Sequence, residues 1–137
     1  MKNFEQIDIS GDVGLRVRGK SLEELFENAA IGMVSLMTNP VKIKETEHRE
    51  ISLTIENYES SLVQWLNELV FLFDAYGFTG RVFRVSFQGD TFRADVSGGI
   101  FDPERDGQKL LIKAATYHNL SVRQIDSYWE ATIIFDI

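Results

Sequence analysis

The chain has 137 residues, no cysteine, and 14 basic against 21 acidic residues for a formal net charge of −7 at pH 7. That length suits one domain, residues 1–137, with room for a sizeable core, while the missing cysteines exclude a disulfide framework, thiolate chemistry and any Cys-based zinc site. The acidic balance argues against direct, stable binding of naked nucleic acid, no apolar run approaches the ~20 residues of a membrane span, and the start lacks a secretion signature, so the cytoplasm is the expected compartment.

In chain order, Ile7 and Ile9, then Leu15 and Val17, predict strands on either side of a turn at Ser10-Gly11-Asp12. Gly11 and Gly14 free the backbone there, so that main chain as well as rotamer aims Asp12. An Asx turn that merely satisfies its own backbone accounts for the same residues. Ser21-Leu22-Glu23-Glu24 reads as a capping box, with Ser21 as N-cap and Glu24 reaching back. Leu22, Leu25, Phe26, Ala29, Met33, Leu36 and Met37 follow as one apolar helical stripe, which Asn39-Pro40 closes. Ile51, Leu53 and Ile55 alternate with polar residues in a half-exposed strand, and His48 on the approach to it reads as solvated, without a role. Ser60 and Ser61 cap a second helix from Leu62 to Phe73, ended by Asp74 and Gly77. Its polar strip of Gln64, Asn67 and Glu68 is narrow, so cover on several sides is expected. Burying its large side chains at roughly 1.5–3 kcal/mol each makes it the centre of the core.

Arg81 to Gln88 and Thr91 to Ser97 alternate as paired strands around a two-residue turn, Gly89-Asp90. Gly98-Gly99 and Asp102-Pro103 then read as a flexible connection carrying Glu104, Arg105 and Asp106. Leu110, Leu111, Ala114, Ala115 and His118 suit a short helix with its apolar side inward, Lys109, Lys113 and Thr116 sharing much of the other. A second hairpin joins Ser121–Ile125 to Tyr128–Ile137 at Asp126-Ser127. In its last strand Trp129, Ala131, Ile133, Phe135 and Ile137 alternate with Tyr128, Glu130, Thr132, Ile134 and Asp136. The sum is an α+β fold, antiparallel or mixed sheets packed with two main helices and a short one.

The sequence contains no phosphate-binding glycine loop, no His-Glu-x-x-His, no Gly-x-Ser-x-Gly and no basic stripe with interleaved aromatics. Two distant histidines and no cysteine leave few partners for a nucleophile and base. What remains is Asp12, Asp136 and the terminal carboxylate of Ile137, with Lys113, Thr116 and His118 as candidate neighbours; the carboxylates meet if the strand after Asp12 pairs with the last strand. Oxygen donors alone suit calcium, magnesium or manganese better than zinc. These residues by themselves favour a plainer reading, solvated aspartates at strand ends.

Three collinear stretches, DVGLRVRGKSLEELFENAA at 12–30, LVQWLNELVFLFD at 62–74, and IKAATYHNL with the closing IFDI, resemble the archease family along the whole chain. The resemblance implies an accessory protein rather than an enzyme, one that activates a tRNA-splicing RNA ligase by promoting its guanylylation and multiple turnover. It also implies a divalent metal held by Asp12, Asp136 and the Ile137 carboxylate, with Lys113 acting toward the ligase, and so turns the plainer reading around. Two departures stand out. The family's Asp-His-Thr-Ala-Asp reads Asp8-Ile9-Ser10-Gly11-Asp12 here, and its later Arg-His pair reads Arg105-Asp106; each costs an imidazole. Two other readings are a general chaperone or modulator of RNA-processing or methyltransferase proteins, which needs an exposed apolar surface, and a metal-dependent phosphoester hydrolase, for which general-base candidates are missing.

Overall fold

Alternation and helical stripes become two antiparallel sheets and two long helices in a computed structural model that describes residues 2–137. Strands β1 (Phe4–Ile9) and β2 (Asp12–Gly19) precede helix α1 (Leu22–Met37), strand β3 (Glu47–Thr54) and helix α2 (Tyr58–Tyr76). Strands β4 (Phe78–Gln88) and β5 (Thr91–Ile100), a four-residue helix α3 (Pro103–Asp106), and strands β6 (Ala114–Ala115), β7 (Ser121–Ile125) and β8 (Tyr128–Asp136) complete the order. The larger sheet runs β1-β2-β8-β6, with β7 also on β8, and the smaller runs β3-β5-β4. All these pairings are antiparallel.

Local chemistry explains the turns and caps. Ser10 and Gly11 both have positive φ, 51° and 86°, the twist that suits a two-residue hairpin. Ser21 Oγ accepts the Glu24 N–H at 3.1 Å, starting α1 as expected. Glu24 itself reaches the N–H of Lys20, at 3.3 Å, one residue before the N-cap. Two side chains then fix α1 between the sheets: Asn28 Nδ2 donates to the Arg18 carbonyl of β2 at 2.7 Å, and Glu27 Oε2 accepts the Val85 N–H of β4 at 2.8 Å. Trp65 of α2 is fully buried, donates Nε1–H to the Phe26 carbonyl at 3.0 Å and lies 5.1 Å from the Phe92 ring. Aromatic burial of this kind makes Trp65 a centre of the core.

Several expectations need correction. Leu110–His118 forms no helix; the short helix is α3, at Pro103–Asp106. The Lys109 and Leu110 N–H groups bond to the Met37 and Leu36 carbonyls, capping the end of α1, and Ala114–Ala115 joins β8 as β6. Long-range backbone partners thus outcompete a weak helical pattern. Gly98 and Gly99 are no flexible link but buried residues within β5, paired with Gly80 and Thr79. A side chain at Gly98 would collide with the Thr79 carbonyl, which is why glycine stands there. Asn57, not Ser60 or Ser61, caps α2, its Oδ1 accepting the Ser60 N–H at 2.8 Å. The cover of α2 is also incomplete, since Phe71 is 55% exposed. Among the described residues, no helix is long and apolar enough to cross a membrane.

Candidate functional site

Strand β2 pairs with β8 from Val13 opposite Phe135 to Gly19 opposite Trp129. Asp12, the first residue of β2, and Asp136, the last of β8, lie just beyond the final β2–β8 pair, Val13 with Phe135, and line the same depression. Both aspartates are exposed, and neither forms an ion pair among the described residues. Asp12 faces Ile9 of β1 on its other side, and Asp136 faces Ala114 of β6. Behind this row, a Cβ at Gly14 would stand 2.7 Å from Ile134 Cδ1 and 2.8 Å from the Ile133 carbonyl. Glycine therefore lets the Ile134 side chain lie across β2. Its buried methyls floor a depression of about 280 Å³ lined by Asp12, Thr116, His118, Ile134 and Asp136.

The remaining predicted residues take different parts. Thr116 Oγ1 donates to the Ile134 carbonyl at 2.9 Å and accepts the His118 N–H at 3.2 Å. Its hydroxyl is thus committed to holding the turn that brings His118 to the rim. Lys113 donates its backbone N–H to the Asp136 carbonyl at 2.8 Å. Its exposed side chain, one position from Ala114, is not part of the lining. Ile137 also lies outside the lining and is 51% exposed, rather than on the core face that simple alternation predicts. The terminal carboxylate follows Asp136 by one residue, about 3.4 Å of strand.

One positioning residue was missed. Asn67 of α2 accepts the Ala115 N–H on Oδ1 at 2.7 Å and donates Nδ2–H to the Ala115 carbonyl at 3.2 Å. Both backbone groups of β6 at that residue are satisfied by one amide, which anchors the Thr116–His118 turn. The signal available was its place in the narrow polar strip of an otherwise apolar helix.

The two departures also find places. Ile9 stands directly across from Asp12, so the flank of the acidic pair is apolar here. Asp106 lies elsewhere, completely buried, with Arg105 Nε and Nη2 donating to its oxygens at 2.6 and 2.8 Å and the Asp102 N–H at 2.9 Å. The Arg105 guanidinium holds its carboxyl below the usual carboxylate range. The Asp106 carbonyl accepts from Thr38 Oγ1 at 2.8 Å, tying the segment to the end of α1.

Chemically, Asp12 and Asp136 are hard oxygen donors at adjoining strand ends, with no ion-pair partner among the described residues. Neighbouring like charges repel, and such a donor set fits an oxygen-preferring divalent ion.

Comparison with known proteins gives a consistent result. A family model described as the Archease protein family matches residues 4–137. An archease of Pyrococcus abyssi is 34% identical and one of Sulfurisphaera tokodaii 30% identical, each over 100% of both chains. The solution structure of Methanobacterium thermoautotrophicum protein 1598 is 30% identical, with a TM-score of 0.79 over 100% of both chains. The crystal structure of an archease and possible chaperone from Thermotoga maritima has a TM-score of 0.69 over 97% of this chain and 96% of that one. At 20% identity, it supports the fold alone.

Proposed function

The chain belongs to the archease family, and from that premise we propose that it is a non-catalytic accessory protein that activates a tRNA-splicing RNA ligase, promoting its guanylylation and multiple turnover. The observation that supports this reading is the pair of exposed carboxylates, Asp12 and Asp136, which line one depression at the adjoining ends of β2 and β8 and form no ion pair among the described residues. In the proposal these two side chains and the Ile137 carboxylate hold a divalent ion, calcium foremost, with magnesium or manganese as alternatives. When bound, the ion supplies positive charge against phosphate oxygens in the ligase's nucleotide site.

The chain's own residues do the positioning. The β2–β8 ladder fixes both aspartates on regular backbone, Thr116 and Asn67 fix the adjoining turn, and His118 stands at its rim. Lys113 offers an exposed ammonium beside β6 for an anionic group of the ligase. Commitment of the Thr116 hydroxyl to backbone bonds speaks against its use as a nucleophile. The compartment in this proposal is the cytoplasm, and RNA is reached through the ligase, in keeping with the net charge of −7. The test combines the protein with such a ligase, GTP and a cleaved tRNA substrate. Asp12→Ala and Asp136→Ala lose stimulation of multiple turnover; undiminished stimulation overturns the assignment.

A chaperone-like role has one observation in its favour: Phe71 and Tyr76, 55% and 60% exposed, stand with ring centroids 6.2 Å apart on α2. Client binding that ignores Asp12→Ala but fails in Phe71→Ser selects that role. Phosphoester turnover by the isolated protein would select a hydrolase instead.

A further inference from the structure

The smaller sheet carries a cluster that the proposed activity does not use. On β3, His48 and Glu50 are two residues apart and so share one face of the strand. Asp95 of β5 is the direct partner of Glu50 in the antiparallel register, and His48 pairs with Ser97. All three side chains are exposed, and one ligand atom of each lies within 4.8 Å of the others. His48 Nε2 stands 3.4 Å from Asp95 Oδ1.

Two carboxylates directly opposite each other repel and weaken strand pairing unless a cation stands between them. Arg84 faces Asp95 from β4, and Arg93 lies two residues along β5. Neither guanidinium forms an ion pair with Glu50 or Asp95, and His48 is the one ion-pair partner of Asp95 among the described residues. The donors therefore converge on one another rather than on the available arginines. We propose that His48, Glu50 and Asp95 form a second cation site, one that takes a borderline divalent ion of the zinc or cobalt class through one imidazole nitrogen and two carboxylate oxygens.

The chemistry separates this site from the first. An imidazole nitrogen favours zinc-like ions over calcium, whereas the Asp12–Asp136 pair offers only hard oxygens. Zinc takes such ligands at about 2.0–2.2 Å, so side-chain rotation from the present spacing suffices and the strands stay in place. Three protein ligands leave a fourth position for water or a small anion. Room exists beside it in a hollow of about 420 Å³ lined by Glu50, Ser52, Ser86, Arg93 and Asp95.

The chain has two histidines, so an imidazole ¹H–¹⁵N spectrum reads His48 and His118 separately, assigned with His48→Gln. Titration with zinc chloride shifts the His48 signals saturably, and Glu50→Gln or Asp95→Asn weakens that response about tenfold or more while leaving the His118 signals as in wild type. A His48 response that does not saturate, or one that both carboxamide variants leave intact, overturns the proposal. Arg84→Gln supplies a second arm: removing the positive charge carried opposite Asp95 strengthens zinc binding, and unchanged or weaker binding contradicts the proposal.

Discussion

Asp106 and the Asp12–Asp136 pair are the same residue type put to opposite ends. Asp106 is buried, and its oxygens receive two guanidinium hydrogens from Arg105 and the Asp102 N–H. Asp12 and Asp136 are exposed at adjoining strand ends and form no ion pair among the described residues. A carboxylate whose lone pairs are spent inside the fold serves structure, while one left unspent beside a like charge is free to hold an outside ion. Position 106 is thus an anchor with its own arginine.

The largest effect expected from breaking this contrast is on stability. Asp106→Ala strands the Arg105 guanidinium and the Asp102 N–H, costing about 2–4 kcal/mol, the lower part of the range reflecting the partial exposure of Arg105. Urea denaturation measures it. The pH dependence follows from the lowered carboxyl. A depressed folded pKa contributes stability above the unfolded value and loses it as pH falls through the folded one. The stability gap between wild type and Asp106→Asn is therefore full near neutrality and narrows below about pH 4. A gap that widens in acid contradicts the assignment. Next in size, Asn67→Ala removes both amide bonds to Ala115, costs about 1–2 kcal/mol and speeds hydrogen exchange at the Ala115 N–H selectively over that of the Ile133 N–H.

Much of this was legible from local pattern. Alternation marked β2, β5 and β8, the Ser21 cap marked the start of α1, and Gly89, with a φ of 60°, made its hairpin turn. What local pattern does not carry is partnership. Lys109 to His118 has helical spacing, yet its backbone groups are taken by Leu36, Met37, Asn67 and Asp136, residues remote in sequence. Gly98 and Gly99 look like a hinge until the Thr79 carbonyl is seen against Gly98. The meeting of Asp12 with Asp136 has the same character. It depends on β2 choosing β8, which neither strand's own sequence specifies; the residues offered it only as a condition, and the family resemblance added weight to it.

The central claim, that Asp12 and Asp136 jointly hold a divalent ion, is tested most directly by thermal unfolding with and without calcium. Without the ion, Asp12→Asn and Asp136→Asn lie within about 0.5 kcal/mol of wild type, as exposed substitutions do. With free calcium at a hundred times the dissociation constant, wild type gains about 2.7 kcal/mol, which raises its melting temperature, and each variant loses most of that gain. An equal calcium response in wild type and both variants would contradict the account.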